Sequence, residues 1–526
     1  MKKNILKITA MIASVAMFAS CTDLDIFPEN TSSSEVVFST FEGTKDALAK
    51  VYAAYTLTGN SGPGGKTDLP IPGIDEGSNA DFVRTFFNHQ EMPTDEAHCL
   101  WNDAGVPELN FINFTTDGQF TLGLYYRLIM QIMYANEFIR NADESLNAEV
   151  ATFKAEARFI RAFDYWAMMD VFGNPPFITE SDVLGSLPEQ ISRADLFQYI
   201  ESELKELGDN GLLKAPRTNE YGRADQAAAW ALLARLYLNA EVYTGTARWA
   251  DAATYSKKVI DAGYSLKPNY ADLFLADNNL NNPEIILPIA YDGKNTRTNG
   301  GTTFLINCTF NGDYQNTYAD LLIHSGIYDN ASWSGYRTRE QFTQKFGTDD
   351  RRYMLVGENP ALGADPSTYT NGLMTYKYRN IQSGSTPGNV INSASGDRAF
   401  ADTDFPLFRL AEQYLIYAEA AARGGGSTAE AVGYVNQLRS RAGVSNITEG
   451  QMTANFILDE RARELYWECH RRTDLIRYGL LTGGGYLWEW KGGVQEGRAV
   501  DTHYNLYPIP ASDVNANTNL TQNPGY

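Results

Sequence analysis

Apolar residues recur at three- and four-residue spacing in several separate stretches of this chain, and each such stretch predicts an amphipathic helix. Residues 153–169 carry their apolar groups on one face among strong helix formers, and Gly173 followed by Pro175 and Pro176 stops the run. Residues 223–240 are rich in alanine and leucine, and residues 249–262 follow as a second helix. Residues 407–423 and 428–442 form another pair about the turn Gly424-Gly425-Gly426, and a further helix covers residues 457–470.

Helix pairs with Ala, Leu and Tyr at close-packing positions have the character of tetratricopeptide units, whose period is about 34 residues. The spacing here is irregular and long insertions separate the pairs. The expected fold class is therefore mainly α: a scaffold of tetratricopeptide-like helix pairs bearing large loop-rich inserts, in one interlocked body without a visible linker. Residues 57–122 and 288–405 break the pattern, being rich in Gly, Asn, Thr, Asp and aromatics with few helical windows. Loops held on a rigid scaffold carry recognition, so function is sought there.

The first twenty residues read as a targeting segment. Lys2, Lys3 and Lys7 precede an apolar run over residues 8–18, too short to span a bilayer, and Ala19 and Ser20 lead into Cys21. An ordinary signal peptide beside a chance cysteine is one reading. The abrupt polar turn at Thr22-Asp23 favours the other, a lipoprotein signal (residues 1–20) cut before Cys21, whose acylation would tether the body (residues 21–526) to a membrane. A single acyl chain holds only marginally and two or more hold stably. Loss of the three lysines takes the formal charge of −21 to −24, a surface that repels phosphate and speaks against nucleic acid as a partner. Cys99, Cys308 and Cys469 remain, odd in number and without CxxC spacing, so buried unpaired thiols are expected.

Aromatics make up 12% of the chain, which directs attention to where the tryptophans fall. Flat aromatic faces cover the C–H surface of sugar rings, while Arg, Asn, Asp and Gln bond hydroxyls. Trp101 and Trp333 both stand among small, polar, turn-prone neighbours. A half-buried structural role and an exposed platform are equally compatible with that setting. Trp166 and Trp230 sit in helical windows and are expected in the core, and Trp467, Trp488 and Trp490 are expected to be structural. Arg84 could brace a loop carboxylate or offer its fork to hydroxyls.

Nine stretches, in order along the chain, carry a family resemblance: Cys21-Thr-Asp-Leu-Asp, Glu91-Met-Pro-Thr-Asp-Glu, Ala155-Glu-Ala-Arg-Phe-Ile-Arg-Ala, Tyr221-Gly-Arg-Ala-Asp, Ala234-Arg-Leu-Tyr-Leu-Asn-Ala, Glu284-Ile-Ile-Leu-Pro-Ile, Asp402-Thr-Asp-Phe-Pro-Leu-Phe-Arg-Leu-Ala-Glu, Arg471-Arg-Thr-Asp-Leu-Ile-Arg-Tyr-Gly and Tyr507-Pro-Ile-Pro-Ala-Ser-Asp. Together they resemble the SusD/RagB family of outer-membrane nutrient-uptake lipoproteins, especially its starch-binding members. The resemblance implies a glycan-binding protein outside the outer membrane, lidding a TonB-dependent transporter and presenting an aromatic arc to an α-glucan. It places Trp101 and Trp333 on arc tryptophans, Arg84 on the arc arginine and Asn102 on an asparagine. The arc tyrosine aligns with Asn299, so either Tyr336 or another aromatic supplies the third face, or the ligand differs from starch. It also implies a structural Ca²⁺ near Asn279, Asp402 and Asp404, with Asn279 standing where the family has an acidic residue. No other cofactor is implied.

The histidines form no HxxxH or HExxH pattern, and neither GxSxG nor a phosphate loop occurs. Paired carboxylates of a glycoside hydrolase are set by spatial distance and cannot be read from sequence. Binding without cleavage is therefore the expectation, with a surface hydrolase and a protein-binding tetratricopeptide scaffold as the alternatives.

Overall fold

Each long helix but three opens on a residue that closes its first turn or follows directly from a strand. In the computed structural model, which describes residues 33–526 except 60, 65, 70, 311–316, 318–323 and 330–332, the principal helices are α1 (Phe41–Ala53), α2 (Phe82–Glu91), α3 (Gln119–Asn141), α4 (Glu149–Phe172), α5 (Arg193–Asp209) and α6 (Gln226–Leu238). They continue with α7 (Trp249–Ile260), α8 (Gly301–Asn307), α9 (Leu410–Ala422), α10 (Thr428–Arg441), α11 (Ala454–Leu465) and α12 (Arg471–Arg477). Side chains of Thr40, Asp81, Ser192, Asp225, Ser427 and Thr453 accept first-turn N–H groups of α1, α2, α5, α6, α10 and α11. Asp225 shows why the helix expected from residue 223 begins at 226: its carboxylate takes the N–H groups of Ala227 and Ala228.

The molecule is mainly helical. Helices α3 to α7 pack each on the next, α7 packs on α9 and α9 on α10, so the row continues across the long insert between residues 261 and 404. The expected helix pairs are thus present, as is the insert. Cys21 lies outside the described residues.

Three expectations need correction. Residues 405–409 are not helix but a strand that pairs antiparallel with Ile285–Ile289, and α9 starts only after it. The helix expected over 457–470 stops at Leu465. There the N–H groups of Trp467 and His470 donate to Glu96 and Glu91, and Trp467 and Cys469 take positive φ. Residues 57–122, read as poor in helix, contain α2, which packs on α3, α8 and α12. Trp166, Trp467 and Trp488 are core residues as expected, but Trp230 is only half-buried, its indole N–H on Asp209.

Much of the insert is tied down by buried ion pairs. Arg409 bonds Glu284, Glu464 and Glu468; Arg441 bonds Glu284 and Glu464; Arg351 bonds Asp349, Glu460 and Glu464. Burial alone would raise these carboxyls, yet the guanidiniums prevail and hold Glu460 and Glu464 at about 2. Cys99, Cys308 and Cys469 are buried free thiols.

Candidate functional site

A two-residue ladder sets the geometry. His98–Cys99 pairs antiparallel with Tyr336–Arg337, Cys99 facing Tyr336, and the Leu100 N–H extends the ladder to the Gly335 carbonyl at 2.8 Å. Continuing that register sets Trp101 opposite Ser334, one position from Trp333, although 232 positions of sequence separate the two tryptophans. Trp101 rests edge-on against Tyr336, with ring centroids 5.4 Å apart at 80°. Gly335 makes room for it. A Cβ there would lie 2.2 Å from the Trp101 indole nitrogen, and φ is +122°.

Arg84 comes from α2. The carboxylate of Asp81 caps this helix through the Arg84 N–H and also accepts the N–H of Gly301, fixing α2 against α8. The Arg84 side chain is nine-tenths buried. Its Nη1 donates to the carbonyls of Gly77 (3.0 Å) and Asn299 (3.4 Å), and its guanidinium carbon lies 4.5 Å from the Phe304 ring and 5.9 Å from each indole. The two indole centres are therefore no more than twice 5.9 Å apart. Nη2 makes no hydrogen bond among the described residues.

These groups border one cavity of about 880 Å³, which Asn299 also lines. Two flat faces, a fixed cation with a free N–H edge and a polar rim suit a ligand with apolar rings and many hydroxyls. A second cavity, about 320 Å³, lies against the scaffold and is walled chiefly by side chains such as Leu48, Ile160 and Leu287. Hydroxyls would go largely unpaired there, so its apolar character argues against the same use.

Of the residues singled out in the sequence, Trp101, Trp333, Arg84 and Asn299 converge on the larger cavity. Asn102 is exposed beside it but does not line it. Tyr336 does not supply a third face. It is fully buried with its hydroxyl on Asn88 at 2.8 Å, because the ladder turns it inward to support Trp101. Sequence reasoning missed Asp75, Asp103, Gln119 and Phe120, which also line the cavity. Asp103, two positions after Trp101 in the same polar turn, was the one with a local signal.

The Ca²⁺ expectation does not fit the donors. Asp402 accepts the N–H groups of Gly293 and Ser395, and Asp404 accepts the Tyr291 N–H and the Tyr221 hydroxyl. Burial pushes Asp404 up to about 7, whereas Asn279 is exposed. Among the described residues, no three His, Cys, Asp or Glu side chains gather as a metal site. Asp402 and Asp404 fasten backbone segments instead.

Other titratable groups are similarly committed to the interior. Burial lowers His89 to about 3 and also lowers His98 and His470, leaving neutral rings, and it pushes the Cys99 thiol up to about 12. The Glu91 carboxyl, raised by burial to about 8, hydrogen-bonds Glu96, itself raised by burial and by Glu91. That pair is fully buried and takes the backbone N–H groups of His470 and Trp467, so it faces no ligand.

The chain is similar to known proteins along nearly its whole length. A model of the SusD family matches residues 283–526, and a model described as starch-binding and associating with the outer membrane matches residues 83–238. The chain is 38% identical to the starch-binding protein SusD of Bacteroides thetaiotaomicron over 96% of each. It is 25% identical to SusD-like protein P25 of Formosa agariphila, over 99% of this chain and 100% of that one. Among solved structures, surface glycan-binding protein A of Bacteroides fluxus superposes with a TM-score of 0.69 at 22% identity, covering 93% of this chain and all of that one. Surface glycan-binding protein A of Bacteroides thetaiotaomicron, in complex with laminarihexaose, gives 0.67 at 20% identity, covering 92% and 100%.

Proposed function

The chain belongs to the SusD family, and from that premise we propose that it is a cell-surface lipoprotein that captures starch-like α-glucan chains without cleaving them. The observation that carries this reading is the convergence of Trp101, Trp333 and Arg84, distant in sequence, on one cavity. The relative named for starch binding favours α-glucan over other neutral glycans. A second reading, a β-glucan of the laminarin type, draws on a structural neighbour that holds laminarihexaose and on Asn299, which stands where the arc tyrosine would. Delivery to a TonB-dependent outer-membrane transporter and anchoring through acylated Cys21 complete the proposal. Family relatives are associated with the outer membrane, and no helix among the described residues is long and apolar enough to cross a membrane.

Titration of the protein with maltoheptaose and laminarihexaose, followed by chain-length analysis of soluble starch left with it, tests the ligand and the absence of cleavage together. Binding of maltoheptaose with an unchanged chain-length profile is expected. Preference for laminarihexaose would favour the second reading, and steady release of short oligosaccharides would refute the non-enzymatic one. The intact mass of membrane-extracted protein, and its co-purification with a transporter, read the anchor and the delivery step.

A further inference from the structure

The cavity contains a feature at odds with its aromatic walls. An arginine with a free N–H edge is the group proteins use to seize carboxylate, sulfate or phosphate. Left to itself, Arg84 would make this an anion site. Two carboxylates line the same cavity, Asp75 and Asp103, so among the described residues the lining carries one cation and two anions.

Asp103 is the one placed to act on a ligand. Its side chain is exposed and has no hydrogen-bond partner among the described residues, so neither oxygen is committed within the protein. The turn that carries it is fixed at both ends. Upstream, the Leu100 N–H is held by the Gly335 carbonyl; downstream, the Val106 N–H closes the turn onto the Asp103 carbonyl at 3.1 Å, and Val106 is buried. Gly105 between them has φ of +88°, and a Cβ there would lie 2.7 Å from the Phe120 ring, so the chain can take only a glycine as it passes that wall. The carboxylate is thereby held two residues beyond the Trp101 platform.

We infer that Asp103 is a specificity-determining residue that restricts this cavity to uncharged glycans, accepting hydrogen bonds from sugar hydroxyls while repelling uronate and sulfate groups that Arg84 would otherwise attract. The inference rests on reading the cavity as a glycan site. Selectivity of this kind comes from the repulsive element as much as from the attractive one, and a neutral hydroxyl gains from a charged acceptor.

The test uses maltoheptaose and the same heptasaccharide oxidised at its primary alcohols to carboxylates, each titrated against the wild-type protein and Asp103→Asn. The wild type is expected to bind the oxidised sugar on the order of tenfold more weakly than the neutral one, the gap widening at low salt as screening falls. In Asp103→Asn the neutral sugar should lose a few-fold while the oxidised sugar gains, two changes of opposite sign that damage to the loop could not produce. Parallel weakening of both sugars, or an unchanged ratio, would overturn the inference while leaving glycan binding intact. Failure of the wild type to bind both maltoheptaose and laminarihexaose would instead remove the glycan reading, and this inference with it.

Discussion

Gly335 has no side chain, and the position of Trp101 depends on that. Replacing it with alanine would put a methyl group 2.2 Å from the indole nitrogen at a backbone φ of +122°, so either the ring or the ladder must move. Loss of an aromatic anchor at the centre of a binding surface costs about 2 kcal/mol or more, roughly 30-fold in affinity. Trp101→Ala, Trp333→Ala and Gly335→Ala are each expected to weaken maltoheptaose binding by that order in isothermal titration. Melting curves should separate them, because both tryptophans are half-buried at the surface, whereas Gly335→Ala also strains the ladder. Trp166→Ala, in the core, should do the reverse: lose about 3–5 kcal/mol of stability and keep its affinity per folded molecule. Wild-type affinity in both tryptophan variants would mean the ligand sits elsewhere. At this scale Trp101, Trp333 and Arg84 were legible in the sequence through their neighbours and the family pattern. Tyr336 was not. A tyrosine after Ser334-Gly335 looks exposed until the pairing with Cys99 decides which way it points, and strand pairing is not written in either strand alone.

Helices with strong formers and a stop signal were the elements best foreseen. Residues 153–169 lie within α4, which ends where Gly173 caps it. What escaped was set by partners distant in the chain. The strand at 405–409 has alternating burial on neither face, since all five residues are buried, and a continuous apolar run leading into a helix cannot be told from the helix by periodicity. Its Arg409 also shows what the family segments do. Asp402–Glu412, Glu284–Ile289 and the end of α11 meet around that guanidinium through Glu284, Glu464 and Glu468. Several of the segments that carry the family resemblance therefore fasten insert to scaffold and do not line the cavity that holds Trp101 and Trp333. Removing one partner from a buried ionic cluster leaves uncompensated charge and costs about 3–5 kcal/mol. Arg409→Met should show that loss in urea unfolding. Arg398→Met, which breaks the exposed pair with Asp329, should change stability by no more than ~1 kcal/mol. Equal effects would mean that the buried cluster contributes no more than a surface ion pair.

Across the whole molecule, buried carboxyls of two opposite kinds set how stability follows pH. Glu460 and Glu464, despite burial, are held at about 2 by arginines. Their folded values lie below the ordinary 4.5, so the stability they contribute is present above that pH and is lost as pH falls toward 2. Glu91 behaves in the other sense. Its folded value is about 8 against an ordinary 4.5, burial being the main cause, with Glu96 hydrogen-bonded to it and Arg471 and Asp95 nearby. Below pH 4.5 it is protonated whether folded or unfolded, so folding incurs no penalty. Between 4.5 and 8 the unfolded chain releases the proton while the folded chain retains it, so stability falls as pH rises, and above 8 the loss is complete. The two trends together place the maximum of the melting temperature on the acid side of neutrality, near pH 5. Glu91→Gln should keep an oxygen for the His470 N–H, offer Glu96 an N–H in place of the shared proton, and flatten the decline between pH 5 and 8. The acid limb, carried by carboxyls that arginines hold low, among them Glu460, Glu464 and Asp95, should persist. Melting temperatures of the two proteins from pH 3 to 9 make the comparison, and parallel curves above pH 5 would show that the carboxyl pair beneath α2 does not hold that proton.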